Sequence, residues 1–520
     1  MRRNRNGFTI VELLIVVVVI AILAAIITVA YNGVTKHAFD SRVEADAQKA
    51  QTAQGLYAVE HGESYVSWYS GSDLPDGLKL NSSGDNQIDI RVSDDGRSYC
   101  IRTYNEKSKY SSYDTAYELE NKAGACDNLN PSVAALTQNK WKSVVVSGLS
   151  TCGLGSDDKV YCWGYKYNTT LSVEGAASAP DISIPATAIS PGAMGNQKVR
   201  GIWGTGSRIC AVAYDNKVYC WGYNGVGGIG DGSTATALTP VAVNTSGVLA
   251  GKSMVSVTVG GSGFTCAVDT AGKLYCWGEN DNMQLGNGVL TNSTIPVTAT
   301  AWGLLTNKSV SQVTTGNDHT CVIADGTAYC WGDNGAGHAG APVSSYVTSA
   351  VNISALSMFS GKTIRDISAQ GDTTCAATTT GQLYCWGYNT QGQLGINSTT
   401  PTHIPTLVQG ALAGKSVASS VATYSARCAL TTEGRAYCWG SNVLGLLGDE
   451  SIGTGVNVLE PVEVKVPSKY SSVKLMSLSV GTYVVCGVSD QQRIYCWGYG
   501  GYGQKGVGDT NGYNFDLFEP

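Results

Sequence analysis

Charge is what this chain of 520 residues has least of: Asp, Glu, Lys and Arg make up 14% of it, against about 25% in ordinary soluble domains. So sparse a supply excludes a protein built from long surface helices laced with ion pairs. Histidine is scarcer still, and the five present (His37, His61, His319, His338, His403) are scattered. No His-Glu-x-x-His pattern and no serine or cysteine nucleophile signature occurs, so no enzyme activity and no cofactor are expected. Cys-x-x-Cys clusters with nearby histidines are missing too, which removes the usual zinc arrangements. Loops such as Gly230-Asp231-Gly232 lack full calcium-loop spacing, so no metal site is expected. A net charge of −6 offers no basic excess, and nucleic acid is not an expected partner.

What the chain does have is glycine (64), tyrosine (28) and cysteine (16), a composition suited to short strands and tight turns. The tetrapeptide Tyr-Cys-Trp-Gly occurs seven times, beginning at Tyr161, Tyr219, Tyr275, Tyr329, Tyr384, Tyr437 and Tyr495. Each copy has a second cysteine nine or ten residues upstream of its own. The pairs are Cys152 with Cys162, Cys210 with Cys220, Cys266 with Cys276, Cys321 with Cys330, Cys375 with Cys385, Cys428 with Cys438 and Cys486 with Cys496. Successive motif cysteines are 53 to 58 residues apart, a period that marks a repeat architecture. Fourteen cysteines in regular pairs point to disulfides and an oxidising compartment.

Each pair reads as a hairpin staple. If Cys266 faces Cys276 across antiparallel strands, Asp269 faces Lys273 and a three-residue loop remains. The last loop residue is then left-handed, where glycine is cheapest and Asn or Asp is tolerated. Gly272, Gly381, Gly434, Asn216 and Asp158 occupy that place; Gln492 fits poorly. Cys321 and Cys330 are one residue closer, but their loop is Asp325-Gly326, a two-residue type I′ signal that restores the register. Counted outward from Ala324 and Thr327, the cysteines fall on a non-hydrogen-bonded pair, close enough to bridge.

Two more strands recur around each hairpin. One lies upstream, as at 252–260, 308–316 and 362–371; the other follows a Gly/Asn-rich loop, as at 296–297, 405–408 and 461–464. Four strands in each of seven units predict a seven-bladed β-propeller over 129–520; a parallel β-solenoid would have shorter periods and no hairpin turns. The run Gly381-Gln382-Leu383-Tyr384-Cys385-Trp386-Gly387-Tyr388-Asn389, followed by Gln391-Gly392-Gln393-Leu394-Gly395, resembles the core repeat of the regulator-of-chromosome-condensation family. That resemblance implies the same seven-bladed fold, and a structural role for His319. The last repeat stops short of a fourth strand, so 131–136 is expected to pair into the seventh blade. Each motif tryptophan is expected in blade packing, while the loop tyrosines Tyr223, Tyr388, Tyr499 and Tyr502 are candidate ligand contacts.

The first seven residues are polar and carry three arginines, and 8–30 is almost wholly apolar. At ~1.5 Å per residue this run reaches roughly 34 Å, enough to cross a bilayer, with Arg2, Arg3 and Arg5 held on the cytoplasmic side. Glu12 is costly within it and calls for a partner. Gly7-Phe8-Thr9-Ile10-Val11-Glu12 resembles the type IV prepilin signal of pilins and pseudopilins. The resemblance implies that a prepilin peptidase cuts after Gly7, that Phe8 becomes the methylated N-terminus, and that Glu12 pairs with a neighbouring pilin subunit during filament assembly. The organisation is then a leader (1–7), a transmembrane and filament-core helix (8–30), a pilin-like helix and small sheet (31–128), and the propeller: a mainly β chain with one long helix. Within 31–128, 87–92 and 98–101 read as strands flanking the turn Asp95-Gly96, and Cys100 with Cys126 is the simplest remaining bridge.

Together these readings predict a minor or tip pilin-like protein. It would pass through the cytoplasmic membrane and reach the cell surface or a pilus, its propeller presented for adhesion to a surface protein or glycan. The alternatives are a pseudopilin-like part of a secretion or DNA-uptake machine, an exchange-factor-like regulator or inhibitor, and a polymer hydrolase.

Overall fold

A computed structural model describes residues 140–165, 192–423, 425–449, 451–466, 472–501 and 504–505, and the backbone of strands at 68–69, 86–92, 99–105, 117–120 and 513–518. The chain divides into two compact units, Met1–Ala135 and Leu136–Pro520.

In the first unit, Trp68–Tyr69, Asn86–Val92, Tyr99–Asn105 and Tyr117–Glu120 form a four-stranded sheet in chain order. Its neighbouring strands are antiparallel, with Val92 opposite Tyr99. The strands expected at 87–92 and from 98 are therefore present. The expected helix from residue 8 to 59, with Gly7, Phe8 and Glu12, lies outside the described residues, as does the expected bridge between Cys100 and Cys126. Among the described residues no helix is long and apolar enough to cross a membrane.

The second unit is a seven-bladed propeller. Blades two to seven are four-stranded sheets and blade one has three strands among the described residues. Within a blade the strands follow one another antiparallel, as in blade three: Met254–Val259, Phe264–Asp269, Leu274–Gly278 and Ser293–Thr298. The two middle strands of each blade are buried on both faces. In Phe264–Asp269 all six residues are buried, because neighbouring blades cover both sides of the sheet. The innermost and outermost strands alternate with exposed positions, since one faces the axial channel and the other the rim.

The hairpin register is as the cysteine spacing requires. Cys266 lies opposite Cys276 and Cys321 opposite Cys330, with Ala324 opposite Thr327. The other five hairpins place Cys152 opposite Cys162, Cys210 opposite Cys220, Cys375 opposite Cys385, Cys428 opposite Cys438 and Cys486 opposite Cys496. All seven bridges form, with Cα atoms 4.1 Å apart in each. The left-handed turn position is also as expected: φ is 71° at Gly272, 64° at Asn216 and 68° at Asp158. Gln492, the poor fit by residue type, takes the same conformation at φ 61°. The register set by the flanking strands overrides its intrinsic preference.

One expectation is corrected. The fourth strand of blade seven is Tyr513–Phe518, paired with Ile494–Tyr499, so the place assigned to 131–136 is filled by the chain's own C-terminal segment. Every four-stranded blade among the described residues is thus made of consecutive strands. Blade seven meets blade one through Trp141 N–H to the Gln492 carbonyl (2.7 Å) and Val146 N–H to Ser479 Oγ (2.8 Å).

Candidate functional site

Each residue of Tyr-Cys-Trp-Gly has a separate structural task. The tyrosine hydroxyl reaches the turn before it: Tyr161 donates to Asp157 (2.8 Å), Tyr219 to Asp215 (2.7 Å) and Tyr275 to Asp269 (3.1 Å). Burial, reinforced by that carboxylate, pushes the Tyr219 and Tyr275 hydroxyls up to about 12. The cysteine is the staple: Cys162, Cys220, Cys276, Cys330, Cys385, Cys438 and Cys496 are all buried and each is bridged within its own blade. None of them is a free thiol or a metal ligand. The tryptophan is wholly buried in all seven copies, and in Trp163, Trp277, Trp331, Trp386, Trp439 and Trp497 its indole N–H crosses to the neighbouring blade. Trp277 donates to the Gly228 carbonyl (3.0 Å), Trp331 to Gln284 (3.1 Å), Trp386 to His338 (2.9 Å), Trp439 to Gln393 (2.9 Å) and Trp497 to Leu446 (3.0 Å). In blades three, four and five the threonine before the upstream cysteine donates to that same carbonyl, as Thr265 does to Gly228 (2.8 Å). The glycine is required by close approach: at Gly278, φ is 102° and a Cβ would come within 2.3 Å of the Gly263 carbonyl oxygen.

The same latch closes the ring. Trp163 and Thr151 of blade one both donate to the carbonyl of Gln504 in blade seven, at 3.0 and 2.7 Å. In blades two to six the loop that carries the accepting carbonyl is itself fixed by a buried asparagine four residues after the motif cysteine. Asn280 Oδ1 accepts from Leu285 N–H (3.0 Å) and its amide donates to Val289 (2.7 Å); Asn224, Asn334, Asn389 and Asn442 repeat the first bond. The Gly-x-Asn repeat was visible in the sequence, but only the structure identifies it as the support of the latch.

Because the strands alternate in direction, the propeller has two unlike faces. The inner strand of blade one begins at Trp141, so the chain enters on the face that also holds the turns between second and third strands. The long connections between third and fourth strands lie on the opposite face. Tyr223, Tyr388 and Tyr499 all open such connections. Tyr223 is 49% exposed, whereas Tyr388 and Tyr499 are half-buried, and Tyr499 packs edge-on to Tyr483 with centroids 6.0 Å apart. Tyr502 lies outside the described residues.

Charge is divided between the faces. Of the nineteen lysines and arginines described in this unit, sixteen lie on the entry face; Arg208, Arg427 and Lys505 lie toward the loop face and are buried. A lysine precedes the inner strand of every blade: Lys140, Lys198, Lys252, Lys308, Lys362, Lys415 and Lys474. Nine acids, among them Asp157, Asp215, Asp325, Glu433 and Asp490, share the entry face and leave it net positive. The loop face gathers Glu279, Asp318, Asp333 and Asp372, and much of this acid is used internally. Asp318 accepts from Ser262 (2.8 Å) and Gln284 (3.2 Å), Asp372 from Asn317 (2.9 Å), and Asp333 faces His338 at 3.1 Å.

Burial, helped by Asp318 and Asp281 and opposed by Arg208, raises the Glu279 carboxyl to about 7. A carboxyl raised in the folded state contributes stability that is fully present below its unfolded value and lost as pH rises through the folded one. Its window is therefore about pH 4.5 to 7. Buried His319, its ring tilted by 50° against that of His338 with centroids 4.4 Å apart, is lowered well below its ordinary value by burial and by the nearby His338 and Arg427, so its contribution is lost in the opposite direction, as pH falls below about 6.5. Glu279→Gln is expected to raise the urea midpoint at pH 8 and leave it unchanged at pH 4.5. An equal rise at both pH values would mean that ionisation of Glu279 is not the cause.

The axial channel holds a cavity of about 170 Å³ lined by all seven inner strands, including Val145, Trp203, Thr258, Thr314, Gln370 and Leu478, with no charged side chain among them. Among the described residues no group of three or more His, Cys, Asp or Glu side chains is placed to hold a metal ion.

This geometry has known counterparts. Residues 197–519 match the family model for the RCC1-like domain, and residues 2–28 match that for the prokaryotic N-terminal methylation motif. The ultraviolet-B receptor UVR8 of Arabidopsis thaliana is 28% identical over 314 residues, 58% of this chain and 66% of that protein. The human E3 ubiquitin-protein ligase HERC2 is 27% identical over 367 residues, 69% of this chain but 7% of that much longer protein. Among solved structures, Prp20p of Saccharomyces cerevisiae superposes with a TM-score of 0.59 at 18% identity, covering 75% of this chain and 89% of that one. Human WBSCR16 gives 0.57 at 18% identity, over 70% and 93%. The likeness to these two structures concerns the fold alone. The chain belongs to the RCC1-like domain family, and it carries its propeller behind a type IV prepilin-like N-terminal methylation motif.

Proposed function

We propose that this protein is a minor or tip pilin-like subunit that displays its propeller outside the cell as a recognition or adhesion head. One observation carries the reading: a methylation motif at 2–28 and an RCC1-like propeller stapled in every blade by a buried disulfide occur in one chain. Disulfides suit an oxidising exterior, and the motif suits passage through the membrane and processing after Gly7. In this reading prepilin peptidase and other pilin subunits are the processing and assembly partners, and the ligand is a surface protein or glycan. Tyr223 is the tyrosine best placed to touch it, being exposed on the face away from chain entry. The protein acts by binding. The E3 ligase relative does not argue otherwise, because only 7% of its length is matched.

The test is immunogold labelling of sheared filaments from cells expressing the full chain. Sparse or terminal label on the filaments is expected, and it should disappear in the Glu12→Ala variant while the protein remains in the membrane fraction. Label confined to cell bodies would overturn filament display and favour a pseudopilin-like role in a secretion or uptake machine.

A further inference from the structure

We propose that the entry face of the propeller docks an anionic polysaccharide, a second binding surface independent of the loop face and of whether the chain enters a filament. The net charge of −6 conceals it. Folding places sixteen basic side chains on one face and leaves the other, among the described residues, with only buried ones. Set against the nine acids of the same face, the sixteen leave it net positive, and a net positive face steers and orients a polyanion.

The make-up of the face indicates the kind of anion. Twelve of the sixteen are lysines, compact point charges without the rigid fork with which arginine grips one carboxylate or phosphate in two places. A ring of point charges, one per blade, reads charge density and suits a polymer that repeats its charge. Within the ring, Lys252, Lys415 and Lys474 are exposed. Acids share this face: Asp490 N–H donates to the Lys474 carbonyl (2.8 Å), Asp158 takes Lys142 and Lys198, and Asp325 takes Lys308 at 4.0 Å, so it is the basic excess that is left for a ligand. An aromatic ring completes the set. Tyr214 is 49% exposed on the same face, with the Arg200 guanidinium 5.2 Å from its centroid. A flat apolar ring beside a cation offers a sugar ring a contact surface and its carboxylate or sulfate a counter-charge. That pairing favours an acidic sugar polymer over a bare phosphate chain.

The experiment uses the full-length protein in nonionic detergent, with dextran sulfate, polygalacturonate, unmodified dextran and duplex DNA as immobilised probes. Both acidic polysaccharides are expected to bind and dextran is not. Binding should weaken at least tenfold between roughly 50 and 200 mM salt, as counterion release requires. The triple variant Lys252→Glu, Lys415→Glu, Lys474→Glu should lose about tenfold or more in affinity. Val343→Glu with Val443→Glu, which adds the same sign of charge to the loop face, should lose none. Retained near-ultraviolet circular dichroism checks that each variant is folded. The proposal is overturned if dextran binds as well as the acidic polymers, if the lysine variant binds like the wild type, or if duplex DNA binds more tightly than either polysaccharide. Filament labelling is not read in this assay, so its failure would leave the display proposal standing.

Discussion

Dithiothreitol at neutral pH is expected to leave all seven blade disulfides intact until denaturant opens the propeller, and then to reduce them together. The fourteen cysteines concerned are no more than 2% exposed, so a thiolate cannot reach a sulfur while the blades are packed. Each bridge closes a loop of nine or ten residues, worth roughly 2–3 kcal/mol on the chain-entropy model. Seven such terms match or exceed the ~5–15 kcal/mol net stability of an ordinary domain, so the reduced propeller should not refold under conditions where the oxidised one is stable. Alkylation and intact-mass measurement along a urea series gives the answer. Two populations, fully oxidised and extensively reduced, are expected. A ladder of singly and doubly reduced species in buffer alone would mean that the blades open independently and the cysteines are accessible.

The second large effect concerns ring closure. Replacing a latch tryptophan by alanine removes a fully buried indole and its hydrogen bond, at a cost of about 3–5 kcal/mol. Trp386→Ala weakens a seam whose two blades are also joined through the connection from Ser344–Asn352 to Ile364–Gln370. Trp163→Ala weakens the seam between blades one and seven, which among the described residues is held by non-covalent contacts such as the Gln504 carbonyl and the Gln492 carbonyl. The same truncation should therefore do more harm at the closing seam. Hydrogen exchange is expected to rise across 141–164 and 484–499 in Trp163→Ala well below the global unfolding midpoint, and to stay local in Trp386→Ala. Equal midpoints and equal exchange in the two variants would show that the ring has no weak seam. Trp163→Phe separates packing from bonding. It keeps most of the ring volume, leaves Thr151 as a donor to Gln504 (2.7 Å), and should cost only about 1–2 kcal/mol.

Much of the fold was legible because cysteine spacing and turn chemistry constrain each other. The Asp325-Gly326 loop is one residue shorter than its counterparts, and the nine-residue spacing of Cys321 and Cys330 changes with it. Local residue types therefore predicted the strand pairing across the hairpin. Gln492 marks where local reading ends: nothing in its side chain favours a positive φ, and the strands on either side impose it. The fourth strand of blade seven was misassigned for a related reason. In Tyr513–Phe518 only the outermost strand of a sheet is formed, and its segment lacks the proline that marks the corresponding strands at Pro296, Pro405 and Pro461. Tyrosines of the loops after the motif were read as candidate contacts, yet in blades two to six the asparagine and the latch carbonyl of the same loops serve the fold, which leaves mainly the outer parts of those loops to touch a ligand.

The order of residues by itself determined the repeat number, the partners of fourteen cysteines, the sheet-rich class and the prepilin-like start. These depend on neighbours close in the chain, where a turn of two or three residues sets which side chains meet. Only the tertiary structure decided that the motif tryptophan donates across a blade boundary, and that one repeated bond also closes the ring. It alone revealed that basic side chains dispersed evenly through the sequence gather on one face. Such properties arise when segments some fifty residues apart pack side by side, and the one-dimensional pattern holds no record of which end of each strand faces which way.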